Sequence, residues 1–165
     1  MPDTTADRPE LRQAADSLAG RFPGAVLSSA VEKGELAVRL RKEGLAAVLS
    51  FLKDELGFNA LDDIIVLDNI RSSGDGGKRF TVLYQIYQFP GFVRLRLAVD
   101  VGENEALDSA VPVYRSADWA EREAFDMFGV RFEGHPGLRR IYMADEFEGH
   151  PLRKDFPLGG RDGGA

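Results

Sequence analysis

Four charged residues in the C-terminal third have the types and spacing that could support chemistry. Glu121, Arg122 and Glu123 are consecutive, and Asp126 follows Arg122 at a spacing of four. Two carboxylates can act as general acid and base. On a helix, however, Glu121 and Glu123 point in different directions, whereas Arg122 and Asp126 are spaced to pair. The spacing therefore favours an ion-paired anchoring helix over a catalytic carboxylate pair.

The sequence FEGHP occurs twice and supplies both histidines of the chain, His135 and His150. Each histidine precedes a proline, which disfavours helical backbone. Together with Asp145 and Glu148 they could ligate a metal ion, but no helical or hairpin spacing brings them together. We expect each histidine to hydrogen-bond a carbonyl or carboxylate at an interface. An independent acid–base or metal enzyme is the alternative.

A basic pair follows each FEGHP copy, Arg139-Arg140 after the first and Arg153-Lys154 after the second. Arginine binds carboxylates bidentately and is enriched at protein interfaces. In a chain with a formal net charge of -6, these clusters predict contact with an acidic partner surface. A solvated loop is the alternative interpretation.

The composition excludes several functional classes. An acidic chain of 165 residues lacks the global basic field that nucleic-acid binding requires. It has no cysteine, and therefore no thiolate nucleophile, disulfide or usual iron–sulfur ligand. No apolar run approaches the roughly 20 residues of a membrane span. The N-terminal residues lack the features of a secretory signal, so we expect a cytoplasmic protein.

Hydrophobic periodicity predicts an α+β fold with a mainly antiparallel sheet and helices on one face. The predicted elements are helix 9–18, strands 25–31 and 35–40, helix 45–56, strands 63–70, 79–88 and 92–99, and helix 119–128. In the last helix, Trp119, Glu123 and Met127 share one face, so Glu123 is predicted to be partly buried beside a partner such as arginine. Gly20, Gly57 and Gly129 are placed to end the three helices.

The chain loses its periodicity after Val130, where Gly, Pro, His and Arg alternate. Such a segment is expected to lie as an extended arm on a partner, because it cannot easily bury itself. The predicted organisation is a disordered start at 1–8, an α+β core at 9–111, a short helix plus extended partner-binding arm at 112–158, and a flexible Gly-rich tail at 159–165. The segment 72–77 (SSGDGG) lacks the Lys-Ser/Thr of a phosphate-binding loop and is predicted to connect two strands.

Residues 121–142 closely resemble the signature of the C subunit, the 30 kDa subunit family, of the proton-translocating NADH:quinone oxidoreductase, respiratory complex I. The resemblance covers Glu121-Arg122-Glu123, Asp126, Met127, Phe128, His135, Arg139, Ile141 and Tyr142. The continuation 147–158 also resembles this family. Upstream, residues 25–100 resemble it only in the order of the elements.

The resemblance implies a non-catalytic subunit of the peripheral arm, near the membrane, that packs on the larger quinone-site D subunit and adjoins iron–sulfur subunits. FMN, the Fe–S clusters and quinone would then be held by partner subunits, with no cofactor or metal in this chain. The expected location is the cytoplasmic side of the inner membrane, without a membrane span. An equivalent scaffold subunit of a related membrane-bound hydrogenase or other dehydrogenase is the alternative.

Neither catalytic nor cofactor-binding residues are predicted in this chain. The residues predicted to contact the partner, chosen by signature position and by charge, are Glu121, Arg122, Glu123, His135, Arg139, Arg140, His150, Arg153, Lys154 and Asp155.

Overall fold

The computed structural model describes residues 8–72, 77–91, 93–157 and 159. The elements are α1 Pro9–Arg21, β1 Val26–Glu32, β2 Glu35–Leu40, a 3-10 turn Lys42–Gly44, α2 Leu45–Asp54, β3 Ala60–Asp68, β4 Phe80–Gln88, β5 Val93–Val101, β6 Ala106–Asp108, α3 Ala117–Phe128 and β7 Arg131–Glu133. The predicted disordered start, apart from Arg8, the central part of the 72–77 loop and the predicted tail, apart from Gly159, lie outside the described residues.

Five strands form one sheet in the order β1-β2-β5-β4-β3. Three of its four pairings are antiparallel, and β2 and β5 pair in parallel. The predicted α+β class with a mainly antiparallel sheet is therefore confirmed. A second, two-stranded parallel sheet of β6 and β7 was not predicted. Each of its strands has three residues, too few to produce a recognisable alternation.

The central strands follow the predicted alternation. On β4, Phe80, Val82, Tyr84 and Ile86 are buried, and their cross-strand partners on β5 belong to the same hydrophobic core. Because successive side chains of a strand point to opposite faces, this alternation places one face of the sheet against the helices. The core continues past residue 111 into α3 and β7.

Helix α2 buries the predicted apolar stripe of Leu45, Val48, Leu49 and Leu52. It ends at Asp54, two residues before the predicted end. Gly57 adopts a φ of 72°, and the next N–H, that of Phe58, donates to the Leu52 carbonyl at 2.8 Å. The turn after the helix thus uses the positive φ that glycine tolerates.

The hairpin between β1 and β2 turns at Lys33 and Gly34, which have φ values of 51° and 78°. Positive φ at both central residues is the signature of the two-residue turn that matches strand twist, as predicted. Helix α1, by contrast, continues past Gly20 to Arg21. A helical glycine at that position costs about 1 kcal/mol relative to alanine, which does not suffice to end the helix.

Helix α3 begins at Ala117, earlier than predicted, and ends at Phe128. Ser116 occupies the position before it but donates its hydroxyl to the Leu61 carbonyl at 3.0 Å, so it ties the helix to β3 rather than capping it. Gly129 ends the helix with a φ of 78°, as predicted. None of the described helices is both long and apolar enough to cross a bilayer.

Truncating the α2 stripe should destabilise the whole domain. We expect Leu49→Ala to lower the free energy of unfolding by about 2–5 kcal/mol, because it leaves a cavity in the core. Urea unfolding followed by circular dichroism measures this. Leu27→Ala, at a side chain that is 50% exposed, is the matched control and should change stability by about 0.5 kcal/mol or less. Equal losses in the two variants would contradict the assigned core.

Candidate functional site

Helix α3 turns a different face inward from the one predicted. Its buried positions include Ala117, Glu121, Ala124 and Met127, whereas Glu123 is exposed. The prediction that Glu123 is partly buried is therefore wrong, and Glu121 is the internal carboxylate. The physical reason is that α3 packs against β3, and its buried positions there include the small residues Ala117 and Ala124 together with Glu121.

Glu121 is fully buried and joins α3 to the segment after β6. Its carboxylate accepts hydrogen bonds from the Ser109 hydroxyl at 2.6 Å and from the Ala110 N–H at 2.5 Å. Burial raises the pKa of Glu121 to about 7, with a further contribution from the charge of Asp118, although both hydrogen bonds oppose the shift. Glu121 is therefore an internal support, and its side chain, which the sequence predicts at the partner contact, is buried within this chain.

Arg122 pairs backwards along α3, not forwards as predicted. Its Nε lies 2.7 Å from Asp118 Oδ1, and its guanidinium carbon lies 5.3 Å from the centre of the Trp119 ring. The predicted Arg122–Asp126 pair is wrong because Asp126 faces a different set of donors. Arg122 therefore lies on the outer side of α3, where it contacts Asp118 and Trp119.

Asp126 is the centre of the site. Its carboxylate is fully buried and accepts one bond from Arg140 Nη1 at 2.6 Å. The other oxygen accepts three backbone N–H groups in succession, from Ile141 at 2.9 Å, Tyr142 at 2.7 Å and Met143 at 3.0 Å. Burial alone would raise the pKa of Asp126, but these four donors lower it to about 2. Asp126 thus stays ionised and fixes the arm to the end of α3.

Both histidines hydrogen-bond backbone carbonyls, as predicted, but within their own chain. His135 Nε2 donates to the Asp118 carbonyl at 3.1 Å, and His150 Nδ1 donates to the Asp126 carbonyl at 2.9 Å. They contact opposite ends of α3, and no group of three metal-ligating side chains occurs within the ranges that the structure covers. The geometry does not support a joint site of the two histidines.

The second FEGHP copy and the Arg153 that follows it contact the end of α3. Arg153 Nε donates to the Phe128 carbonyl at 2.6 Å, and Arg153 Nη1 lies 2.6 Å from Glu103. A Cβ at Gly129 would come within 2.6 Å of both His150 and Arg153. Glycine is required here both for its φ and for this close approach. Burial, together with the neighbouring positive charges, lowers the pKa of His150.

A cluster around Arg79 holds the far end of the arm. The Arg79 guanidinium lies 3.2 Å from Asp68, 3.1 Å from Glu103 and 2.6 Å from Asp155, and the Lys154 N–H donates to Asp68 at 2.9 Å. Burial would lower the pKa of Arg79, but the three carboxylates outweigh it and raise that pKa. The end of the arm is thus tied to the start of β4.

The arm makes polar contacts within its own chain, which the sequence did not predict; its predicted contact with a partner stays a prediction. Residues 134–157 contain no helix or strand, as expected. Their hydrogen bonds nevertheless run to α3 and to the strand ends of the same chain. Hydrogen bonds to residues that are distant in sequence stabilise this segment in place of helix or strand hydrogen bonds. Local periodicity cannot indicate such contacts.

The predicted partner residues divide into two groups. Glu123, Arg139, Lys154 and Asp155 are exposed. The remaining six are internal supports with at most partial exposure, namely Glu121, Arg122, His135, Arg140, His150 and Arg153. No structural observation tests whether the exposed group touches a partner, so that role stays a prediction.

Two strongly exposed aromatics were not chosen from the sequence. Trp119 is 66% exposed and Tyr142 is 61% exposed. The Tyr142 hydroxyl lies 3.5 Å from Glu123, one turn along α3 from Trp119. The sequence signal that could have indicated them was their residue type, since tryptophan and tyrosine are enriched at interface hot spots.

Removing the charge of Asp126 should release the arm. We expect Asp126→Asn to lower the free energy of unfolding by about 3–5 kcal/mol, because it leaves the Arg140 guanidinium without its buried partner. Hydrogen exchange should show lost protection at the amides of 141–143. Asp145→Asn, on the exposed part of the same arm, is the control. Unchanged protection at 141–143 in the Asp126 variant would contradict the assignment.

Glu121 should make stability depend on pH. Its folded pKa of about 7 lies above the ordinary value of 4.5, so its stabilising contribution is complete below that ordinary value and is lost as the pH rises through 7. We expect Glu121→Gln to remove about 2–3 kcal/mol of the fall in unfolding free energy between about pH 5 and about pH 8. Urea titrations across that range measure it. Glu123→Gln is the exposed control, and a wild-type slope in Glu121→Gln would refute the prediction.

Comparison with known proteins places these features in a family. Residues 38–162 match the family model described as respiratory-chain NADH dehydrogenase, 30 Kd subunit. The NADH-quinone oxidoreductase C subunit of Trichlorobacter lovleyi is 43% identical over 152 residues, which cover 92% of both chains. The NADH-quinone oxidoreductase C/D subunit of Bdellovibrio bacteriovorus is 42% identical over 139 residues, 84% of this chain and 24% of that protein.

A solved structure shares the fold. It is described as Nqo5 of the trypsin-resistant fragment (1-134), and it aligns with a TM-score of 0.67 and 31% identity over 78% of this chain and 99% of the fragment. The family match covers most of the chain and agrees with the signature around Asp126. The chain therefore belongs to the family of the 30 kDa subunit, or C subunit, of the respiratory-chain NADH dehydrogenase, complex I.

Proposed function

We propose that this chain is a non-catalytic structural subunit of the peripheral arm of a respiratory NADH:quinone oxidoreductase. It docks on the quinone-site D subunit, beside iron–sulfur subunits, on the cytoplasmic side of the inner membrane. In the assembled complex, electrons pass from NADH through FMN and Fe–S clusters in other subunits to quinone, coupled to proton translocation.

The observation that carries the proposal is the internal use of the signature charges. All four donors around the Asp126 carboxylate come from its own chain. Each carboxylate oxygen of Glu121 likewise accepts a hydrogen bond, from Ser109 or from Ala110. A catalytic acid or base must be within reach of a substrate proton, and neither of these buried carboxylates is. The buried carboxylates of the signature therefore stabilise the fold of the C-terminal segment and do not form a reaction centre.

The redox groups are assigned to other subunits on chemical grounds. Iron–sulfur clusters are held mainly by cysteine thiolates, and this chain has none. The relatives are named as subunits of an oxidoreductase, so the chain contributes to that activity through assembly. Its rigid sheet and clamped arm are suited to hold a partner in a fixed position.

The D subunit is the proposed partner because of the C/D relative. In the Bdellovibrio bacteriovorus protein, a segment like this chain makes up 24% of a longer polypeptide whose name includes D. Joining two subunits in one polypeptide gives them a high effective concentration. This supports direct contact between the two in forms where they are separate chains.

The two arginines of the basic pair after the first FEGHP copy lie in different environments. Arg140 is an internal tie to Asp126, so reversing its charge would disturb the arm itself. Arg139 is exposed, and no side-chain bond from it to the described residues is present. Of the two arginines, Arg139 is therefore the one whose substitution tests partner contact without disturbing the arm.

We expect Arg139→Glu to fold normally and to weaken incorporation into the complex, because it replaces an interface cation by an anion that repels an acidic partner surface. Native gels of solubilised membranes, with immunodetection of this chain, measure incorporation. Arg21→Glu, at the exposed end of α1, is the control. Full incorporation of Arg139→Glu would remove Arg139 from the interface.

The chains that co-purify in the same experiment distinguish complex I from the related assemblies. Subunits named for NADH oxidation support the proposal. A hydrogenase large subunit among them would instead favour the alternative scaffold.

A further inference from the structure

The outer side of α3 presents an aromatic patch, which we define as Trp119, Glu123 and Tyr142. We propose that this patch is the anchor that binds the D-type subunit, with the two rings entering an aliphatic pocket of that partner. The inference rests on the proposed function and specifies its recognition surface.

The patch combines large apolar area with exposure. Trp119 and Tyr142 are 66% and 61% exposed, and Phe89, in the β4–β5 turn, is 58% exposed. Trp119 is also the single tryptophan of the chain. Tryptophan and tyrosine side chains carry a disproportionate share of binding energy at protein interfaces. Both exposed rings neighbour Glu123, Trp119 one helical turn before it and Tyr142 through its hydroxyl, and exposed apolar area of this kind marks interaction sites.

The Trp119 ring and the Tyr142 backbone are held in position before any partner arrives. The guanidinium carbon of Arg122 lies 5.3 Å from the centre of the Trp119 ring, and Arg122 is itself held by Asp118. The Tyr142 N–H is bonded to the buried carboxylate of Asp126. Preorganised side chains and backbone lose less conformational entropy on binding, which is the property expected of an anchor.

The charge between the rings specifies the partner's chemistry. Glu123 is exposed, and among the described residues it forms no ion pair and only a long hydrogen bond from the Tyr142 hydroxyl at 3.5 Å. A carboxylate between two apolar rings requires a compensating cation once the rings are covered. We therefore infer an aliphatic pocket with a lysine or arginine opposite Glu123.

The C/D relative supports the D-type subunit as the occupant. Its single polypeptide joins a segment like this chain to a D segment, so a surface for D is expected on this chain. The buried carboxylates of Glu121 and Asp126 are bonded within this chain, so they are not available to bind the D-type subunit. The patch lies within the same signature segment, beside exposed Arg139, and offers both apolar area and an unpaired charge.

The single tryptophan allows a direct test. The full-length chain is labelled with 5-fluorotryptophan and mixed with the unlabelled cognate D-type subunit, and complex formation is followed by size exclusion. In the free chain, the fluorine resonance of Trp119 should move between H2O and D2O, because the ring is exposed. In the complex, we expect that solvent shift to fall by more than about half, as expected for a ring buried in an interface core.

The outcomes separate the inference from the proposed function. A complex in which the solvent shift of Trp119 is unchanged would overturn the patch and leave docking on the D-type subunit intact. Failure of the wild-type chain to form any complex would overturn both.

Alanine variants of the full-length chain measure the energetic share of the patch. Trp119→Ala with Tyr142→Ala should weaken the Kd for the D-type subunit about 100-fold or more, the range of two interface hot spots. Phe89→Ala, a comparably exposed aromatic elsewhere, should leave the Kd within about twofold. If the double variant loses its fold, Glu123→Lys replaces it, with an expected weakening of about tenfold. A folded patch variant with wild-type Kd would sink the inference.

Discussion

The Asp126 carboxylate accepts four hydrogen bonds in a buried position, and the arrangement of the C-terminal third depends on it. Three donors are consecutive backbone N–H groups, and the fourth is the Arg140 guanidinium. Consecutive N–H groups form an anion-binding concavity, which here receives a side chain of the same molecule. The same helix end supplies the carbonyls that bind His150 and Arg153. One helix terminus therefore fixes both halves of an otherwise irregular segment.

Buried charge performs in this segment the role that strand pairing performs in the sheet. Taking ions out of water is costly, and the cost is recovered only where geometry and hydrogen bonding are complete. Around Asp126 and Arg79 the donors and acceptors are nearly matched, so the arm has a defined path without helix or strand. Polar groups therefore stabilise the path of the arm, whereas the exposed rings of Trp119 and Tyr142 remain available for the proposed partner contact.

The sequence predicted the sheet and α2 because their contacts are encoded locally, through alternation on β4 and the apolar stripe from Leu45 to Leu52. Other features have no local code. Which face of α3 is buried depends on its packing against β3. The local pattern predicts Glu123 inward, whereas Glu121 is the buried carboxylate. The Asp126–Arg140 bond joins residues 14 apart across irregular backbone, where no periodic spacing can indicate a contact. The family signature located these residues without revealing that Asp126 binds the backbone of Ile141 and Tyr142 in the same signature.

The shared use of Arg79 by three carboxylates has a consequence for biosynthesis. Asp68, Arg79 and Glu103 all precede Asp155 in the chain, so their constellation can form as soon as β3, β4 and the turn after β5 have left the ribosome. The segment around Asp155 follows these residues in the chain and supplies the third carboxylate on Arg79. A chain shortened before Asp155 would keep the Asp68 and Glu103 pairs of Arg79 but would lose its third carboxylate, so the arm would lose one of its ties to the strand ends.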